Sequence, residues 1–467
     1  MATTSFGGIA SGLDTQALID ATLNASRQTR IKPNQDRVTE LEGTNTALAD
    51  LTTKLTTLRD ALDPFTTLQG GGVSKTGTSS KESVVSATAT ASATNGSYAV
   101  TVTTLASNHT YSFDQTYAAP TDAIQSDLTG AEAEADRTVT FTVGTGSEQE
   151  TVSVVITDGS YSVQSYVDAF NAASSKARAS LVNVGTAASP SYKIVIASLY
   201  EGTEKGTVTR SVLGAELTNL SAYAESAAAN AAISITGIGS ITRPTNSISD
   251  VIPGVSLTLS STGTSTVKIA EDVPSTITKV QQFIDSYNDL VKFITENNKV
   301  TEEKKGREIT NVFAPLASSR LDDNVLFSIR SELSQVVSSG GSVVRVFADL
   351  GITTERDGTL KFDSNKLQEA ISAEVASVTK IFTAFADATA TTSGVINQYT
   401  RFNGLLDIAV NANKTSIDDL NERITEAEAQ LERQAEQLRA RYARLESTMG
   451  RLQSQQSSLT SALAGLG

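Results

Sequence analysis

Few residues in this chain have the types and spacing that do chemistry. His109 is the single histidine and there is no cysteine in 467 residues. Disulfides and thiolate metal sites are therefore excluded. A Ser-His-Asp relay needs an imidazole held by a carboxylate. His109 instead stands in a Ser/Thr-rich loop or strand end, where a lone histidine is expected to be solvated. Paired carboxylates occur at Asp322-Asp323 and Glu302-Glu303, but the second pair abuts Lys304-Lys305 and reads as a solvated charged loop. Neither pair has the spacing of an EF-hand or a zinc site. The glycines of Gly7-Gly8-Ile9-Ala10-Ser11-Gly12 could cradle a phosphate, yet no strand precedes them and no P-loop lysine follows. With no convergent cluster of titratable groups, the expected protein is not an enzyme and carries no metal or cofactor.

Charge narrows the partners. A formal net charge of −14 disfavours phosphate-binding and anionic membrane surfaces alike, so neither nucleic acid nor membrane insertion is expected. Hydrophobic residues are 39% of the chain and aromatics 5%, so cores must be assembled from Val, Ile, Leu and Ala. Residues 1–11 lack the basic and apolar regions of a cleavable secretory signal. No apolar run is long enough to span a bilayer. By these rules alone the chain is soluble and cytoplasmic, with roughly three domains on length.

The pattern that organises the rest is in the tail. Read in sevens, Ile417, Ile424, Leu431, Leu438, Leu445, Leu452, Leu459 and Leu466 recur without a miss. A strict seven-residue repeat is the seam of a left-handed coiled coil. Ser416, with Asp418 and Asp419 behind it, predicts an N-cap and an acidic first turn. The second edge is ragged: Leu420 and Ala427 give way to Gln434, Arg441, Thr448 and Gln455. Such a helix docks between neighbours and is marginal alone, and Gly450 weakens it by about 1 kcal/mol.

At the other end, Ser11 or Asp14 can cap a helix carrying Leu13, Leu18, Ile19 and Leu23. Pro33 interrupts, and Val38, Leu41, Leu48, Leu51, Leu55, Leu58, Leu62 and Phe65 then follow 3-and-4 spacing, ended by Pro64 and Gly70-Gly71-Gly72. From Val73 to about Asp272 the composition turns to Thr, Ser, Ala, Val and Gly, with period-two alternation at Ser97–Val102 and Thr138–Val143. Gly144-Thr145-Gly146 predicts a hairpin into Val152–Ile156, and Ser162 caps a helix with Val163, Tyr166, Val167 and Phe170 on one face. Further strands are predicted at Tyr192–Ala197, Ile233–Ile235 and Val255–Leu259. Helical spacing returns from Pro274 to Ile294, again from Val325 to Val337, and over Leu367–Val410. Between the last two, Asp357-Gly358 is a hairpin signal, since both residues tolerate positive φ.

The predicted architecture is an α+β multidomain chain with terminal coiled-coil helices and a helical body into which β-rich domains are inserted. Residues 1–40 and 416–467 form the terminal coiled coil, and 41–72 with 273–415 the body. Residues 73–112 with 232–272 make an inner β-rich domain, and 113–231 an outer one.

Several stretches resemble one family, the flagellar filament capping proteins (flagellar hook-associated protein 2). Gly8-Ile9-Ala10-Ser11-Gly12-Leu13-Asp14-Thr15 with Leu18-Ile19 is similar to its opening signature. Leu350-Gly351-Ile352 through Asp357-Gly358-Thr359-Leu360 resembles its central block, and Tyr287-Asn288-Asp289-Leu290 the helix before it. Met449-Gly450-Arg451-Leu452-Gln453 resembles its C-terminal pattern. Gly159–Gln164 with Phe170-Asn171-Ala172-Ala173 is similar to a short repeat of flagellins and hook-associated proteins, in which Ile usually stands at Phe170. The resemblance implies a ring-like homo-oligomer at the distal filament tip, beneath which exported flagellin folds and inserts. It implies terminal helices acting as legs, β domains forming a plate, and export by the flagellar type III apparatus without a cleaved signal, to an extracellular site. Implied partners are further copies of the chain, flagellin, a hook-associated junction protein and an export chaperone at the C-terminal tail. The expected assembly contacts are Ile9, Leu13, Leu18, Ile417, Ile424, Leu431, Leu438, Leu445, Leu452 and Leu459. The expected structural motif residues are Ser11, Gly12, Asp14, Leu350, Gly351, Ile352, Asp357 and Gly358. A sibling flagellin or junction protein, or a surface adhesin using the Thr/Ser-rich β region, remains the alternative.

Overall fold

The computed structural model describes residues 14–305, 308–336 and 344–464. Among them the chain divides into two compact units, Val73–Thr276 and the flanks on either side of it.

The flanking unit begins with α1 (Thr15–Arg30), capped by Asp14, whose carboxylate accepts from the Ala17 N–H at 2.9 Å. α2 (Lys32–Leu62) follows after the single residue Ile31, because Pro33 suits the first turn of a helix and not its interior. Leu41, Leu48, Leu51, Leu55, Leu58 and Leu62 line its buried face. At its end Phe65 stacks on Phe382 with ring centroids 4.9 Å apart. Gly71 and Gly72 both have positive φ, and a Cβ on Gly72 would overlap the Thr379 side chain, so only glycine lets the chain pass so close.

The Val73–Thr276 unit holds two β lobes. The inner lobe pairs β1 (Lys75–Ser79), β15 (Gly263–Glu271), β3 (Gly96–Thr104), β11 (Ala231–Ile235) and β12 (Gly239–Arg243) in one antiparallel sheet. The other sheet is β13 (Ser247–Ile252), β14 (Val255–Leu259) and β2 (Val85–Ala89). Val85, Val100, Ile233, Leu257 and Val267 belong to one core drawn from both sheets. In the outer lobe β10 (Tyr223–Ser226), β4 (Asn108–Phe113), β8 (Tyr192–Glu201) and β7 (Ala177–Asn183) form one sheet. β6 (Glu150–Val155), β5 (Thr138–Val143) and β9 (Val208–Leu213) form another. α3 (Val163–Ala173) starts at Ser162, whose hydroxyl accepts from Ser165 N–H as its spacing predicts. The outer lobe's core is aromatic: Tyr111, Phe113, Phe141, Tyr166 and Phe170 meet edge to face. The predicted β5–β6 hairpin forms, with Thr138 opposite Val155 and Val143 opposite Glu150. Its alternation is broken by Thr140, which is buried and bonds Ser153.

The chain returns along α4 (Val273–Asn297), which buries Val280, Phe283, Ile284, Tyr287, Leu290, Val291 and Ile294. Glu302 and Glu303 then lie in β16 (Val300–Lys305), paired with β17 (Glu308–Phe313), and not in the charged loop expected of them. Val300, Val312 and Phe313 supply the strand propensity that the charges obscured. α5 (Leu321–Leu333), β18 (Ile352–Thr354), β19 (Leu360–Phe362), α6 (Ser364–Ala390) and α7 (Val395–Thr400) lead to the long α8 (Leu405–Ala464). Val336 lies beyond α5, and Val337 falls outside the described residues. Ser416 does not cap the last helix. It sits inside α8 and its hydroxyl bonds back to Ala412 O at 3.0 Å, while Gly404 and Asn403 make the true break.

Candidate assembly surfaces

Both chain ends meet in a small seam. Ile19 and Leu23 on α1, Ile31 at the junction, and Leu431 and Ala435 on α8 form one buried cluster. Ile424, Ala427, Leu438 and Tyr442 pack against it, half-covered. Thr15, Ile19 and Leu23 are spaced by four, so they lie one above another on the face turned to α8. Leu18 is one step off that face and 44% exposed, so it is a surface residue of this chain and not part of the seam. Further along, the Asn413 amide donates to Asn45 of α2 at 2.9 Å. The seven-residue row thus runs from half-buried Ile417 and Ile424 through buried Leu431 to half-buried Leu438. Beyond Tyr442 it emerges: Leu445, Leu452 and Leu459 are 45%, 56% and 66% exposed. Ile9, Ser11, Gly12, Leu13 and Leu466 lie outside the described residues.

The central motif residues converge on one clamp. Asn288 of α4 donates its amide to Leu360 O at 2.8 Å and accepts from Leu360 N–H at 2.6 Å, imitating a neighbouring strand. Arg330 of α5 donates to the Tyr287 hydroxyl at 3.1 Å, and Tyr287 donates to Gly358 O at 3.3 Å. Gly358 takes φ 84° in the β18–β19 turn and is the one residue of the Asp-Gly pair to do so. A Cβ there would strike the Arg330 guanidinium. Asp357 holds the turn by accepting from Thr359 N–H and hydroxyl, which also lowers its pKa. Gly351 (φ 79°) lies where a Cβ would meet Asp363 O at 2.5 Å, between buried Leu350 and Ile352. Burial pushes the Tyr287 hydroxyl pKa up despite Arg330. The polar groups of the clamp are turned toward one another and toward the chain's own backbone, the geometry of a brace for α4, α5 and the hairpin. Asn288, Arg330 and the Asn171 amide, which pairs with both backbone groups of Ala179, are contacts that periodicity could not reveal.

His109 is not the solvated histidine expected. It faces inward from β4 at 5% exposure, with Nε2 3.4 Å from a Glu225 carboxylate oxygen. Neither ring nitrogen has a hydrogen-bond partner among the described residues. Asp322 is fully buried in the first turn of α5, and burial raises its pKa. Its neighbour Asp323 accepts from the Asn298 amide at 3.2 Å. Among the described residues no three His, Cys, Asp or Glu side chains are grouped to hold a metal. A cavity of about 430 Å³ beside Gly70 and Gly71 is lined by Thr67, Thr379, Thr383, Ala384 and Lys380, with no acid–base pair. No described helix is long and apolar enough to cross a membrane.

Comparison with known proteins agrees with this layout. Residues 11–109 match the family described as Flagellar hook-associated protein 2 N-terminus, and residues 228–454 that described as Flagellar hook-associated protein 2 C-terminus. The unmatched stretch between them contains the aromatic core of the outer lobe. The B-type flagellar hook-associated protein 2 of Pseudomonas aeruginosa is 30% identical over 243 residues, 51% of this chain and 50% of that one. The chain thus spans about half the length of that relative. Flagellar hook-associated protein 2 of Escherichia coli K12 is 25% identical over 98% of both chains. The D1-D2-D3 domains of the flagellar cap protein FliD from E. coli share the fold, with a TM-score of 0.57 at 22% identity over 79% of this chain and 99% of that one. With both terminal profiles of one family matched in order, and a relative aligned from end to end, the chain belongs to the flagellar hook-associated protein 2 family.

Proposed function

We propose that this protein caps the distal end of the bacterial flagellar filament as a ring-like homo-oligomer and promotes folding and insertion of exported flagellin there. The observation that carries the reading is the heptad row of α8, covered by α1 up to Leu438 and uncovered at Leu445, Leu452 and Leu459. An apolar row regular to the end of the helix is unfavourable in water unless a partner covers it. In this reading residues 1–40 and 416–467 are a leg domain that completes coiled-coil contacts with neighbouring helices of the cap, flagellin or the hook-associated junction protein. Residues 41–72 and 273–415 are the body, and the inner and outer β lobes, which meet at the crossings near Ser107 and Ala229, form the plate. Ile9, Leu13, Ile417, Ile424, Leu431 and Leu438 build each leg, and Leu445, Leu452 and Leu459 make the intermolecular contacts. The work is done by binding and exclusion, without bond chemistry, outside the cell at the filament tip. Export runs through the flagellar type III apparatus, with a chaperone covering the C-terminal tail until then. Electron microscopy of the full-length protein tests this: closed rings support it, and open helical fibres would assign the chain to the filament-forming relatives instead.

A further inference from the structure

The two β lobes are joined by two chain crossings, near Ser107 and near Ala229, which bridge each other as isolated β partners. Two crossings side by side make a hinge, not a brace. A third contact, made without a covalent link, lies beside them. Asn246 of the inner lobe uses every polar group it has there. Its Oδ1 accepts from Ala106 N–H at 2.9 Å and its amide donates to Ala106 O at 2.8 Å. The same amide and the Asn246 backbone N–H donate to the two carboxylate oxygens of Glu201, each at 3.1 Å. Its carbonyl accepts from Leu259 N–H at 2.9 Å. Glu201 ends β8, in the outer lobe. The next residue, Gly202, has φ 78° and sits so close to Pro244 that a Cβ would lie 2.6 Å from it. Its N–H donates to Ser107 O at 3.1 Å, and Thr203 N–H donates to the Asn230 side chain at 2.8 Å.

We infer that Glu201 and Asn246 are an interlobe lock that fixes the angle of the outer lobe on the inner one, with Gly202 as the seat that lets them meet. The hydrogen bonds to the Glu201 carboxylate are charge-assisted and bidentate, so they set direction as well as distance. Glu201 and Asn246 are positioning residues, holding one lobe against the other.

The chain has no cysteine, so a single pair introduced in the full-length protein, Ala188→Cys in the outer lobe and Ser240→Cys in the inner, carries spin labels without interference. Both positions are exposed. Pulsed electron–electron resonance on dilute protein is expected to give one narrow distance distribution, lost to a broad one in Asn246→Ala, in Glu201→Ala and in Gly202→Ala. Asn171→Ala deletes an equivalent double hydrogen bond wholly inside the outer lobe and should leave the distribution narrow. Circular dichroism identifies any variant that fails to fold, and the remaining ones decide. Narrow, unshifted distances in folded Glu201→Ala and Asn246→Ala would overturn the inference, since the covalent crossings would then suffice. Equal broadening in Asn171→Ala would overturn it too, by making the effect one of general loosening.

Discussion

Replacing Leu431 with alanine isolates the docking of the chain's two ends. Leu431 is 3% exposed and belongs to a cluster of five buried residues among those described. Truncating a buried leucine costs about 2–5 kcal/mol, and the high end applies where the surroundings cannot collapse. Here α1 is one helix of 16 residues whose other faces are exposed, so it can shift and the lower half of that range applies. An isolated helix of that length is marginal in water, so the cost falls on α1 and not on the body, whose core lies elsewhere. The assay is amide hydrogen exchange on dilute monomer. Amides of Ile19–Arg30 should lose at least about 30-fold in protection, the equivalent of 2 kcal/mol, with α2 and α4 unchanged. Leu452→Ala, at a site already 56% exposed, should change nothing there. Equal losses in the two variants, or undiminished protection of α1 in Leu431→Ala, would refute the seam described here.

Three further outcomes follow from the same geometry. Gly358→Ala places a side chain at φ 84° against Arg330 and should destabilise the flanking unit by about 1–3 kcal/mol in urea unfolding. Asn288→Ala strips both backbone groups of Leu360 and should cost about 1–3 kcal/mol, with Asn288→Asp restoring only the half that accepts a hydrogen bond. Asp322 has a raised pKa in the folded chain, so its contribution is fully present below the unfolded carboxylate range and is lost as pH rises through the folded value. Asp322→Asn should therefore raise the melting temperature at neutral pH and not near pH 3, and a variant destabilised at neutral pH would contradict that sign.

Much of the secondary structure was legible because single residues dictate it locally. Asp14 and Ser162 cap their helices, Pro33 divides α1 from α2, and Gly358 turns its hairpin, each for a backbone reason that travels with the residue type. What stayed hidden is tertiary. Asn246 and Asn288 each satisfy both backbone groups of a residue far away in sequence, Asn171 does the same for Ala179 across the end of α3, and nothing in their neighbours announces it. His109 is inward because β4 alternates and Tyr111 and Phe113 share its face, a pattern masked by the serines and threonines between them. Ser416 carried the signals of a cap but had no breaker before it, so the helix ran through. Heptad spacing marks the apolar row of α8, but not that Ile19 and Leu23 would lie against part of it while Leu18 stays exposed. That choice depends on which side of α1 the rest of the fold turns toward α8.

In the proposed cap the uncovered half of the α8 row is an intermolecular contact. Leu452→Asp tests it most directly in cells lacking their own copy of this protein. Burying an unpaired carboxylate at such a contact costs several kcal/mol, whereas on an exposed helix face it costs almost nothing. The variant should be exported and fold as the parent does, yet leave filaments unextended and flagellin unpolymerised in the medium. A Gln453→Asp variant, one residue off the row, should be mild. Normal filaments from Leu452→Asp, or retention of the variant inside the cell, would contradict the account.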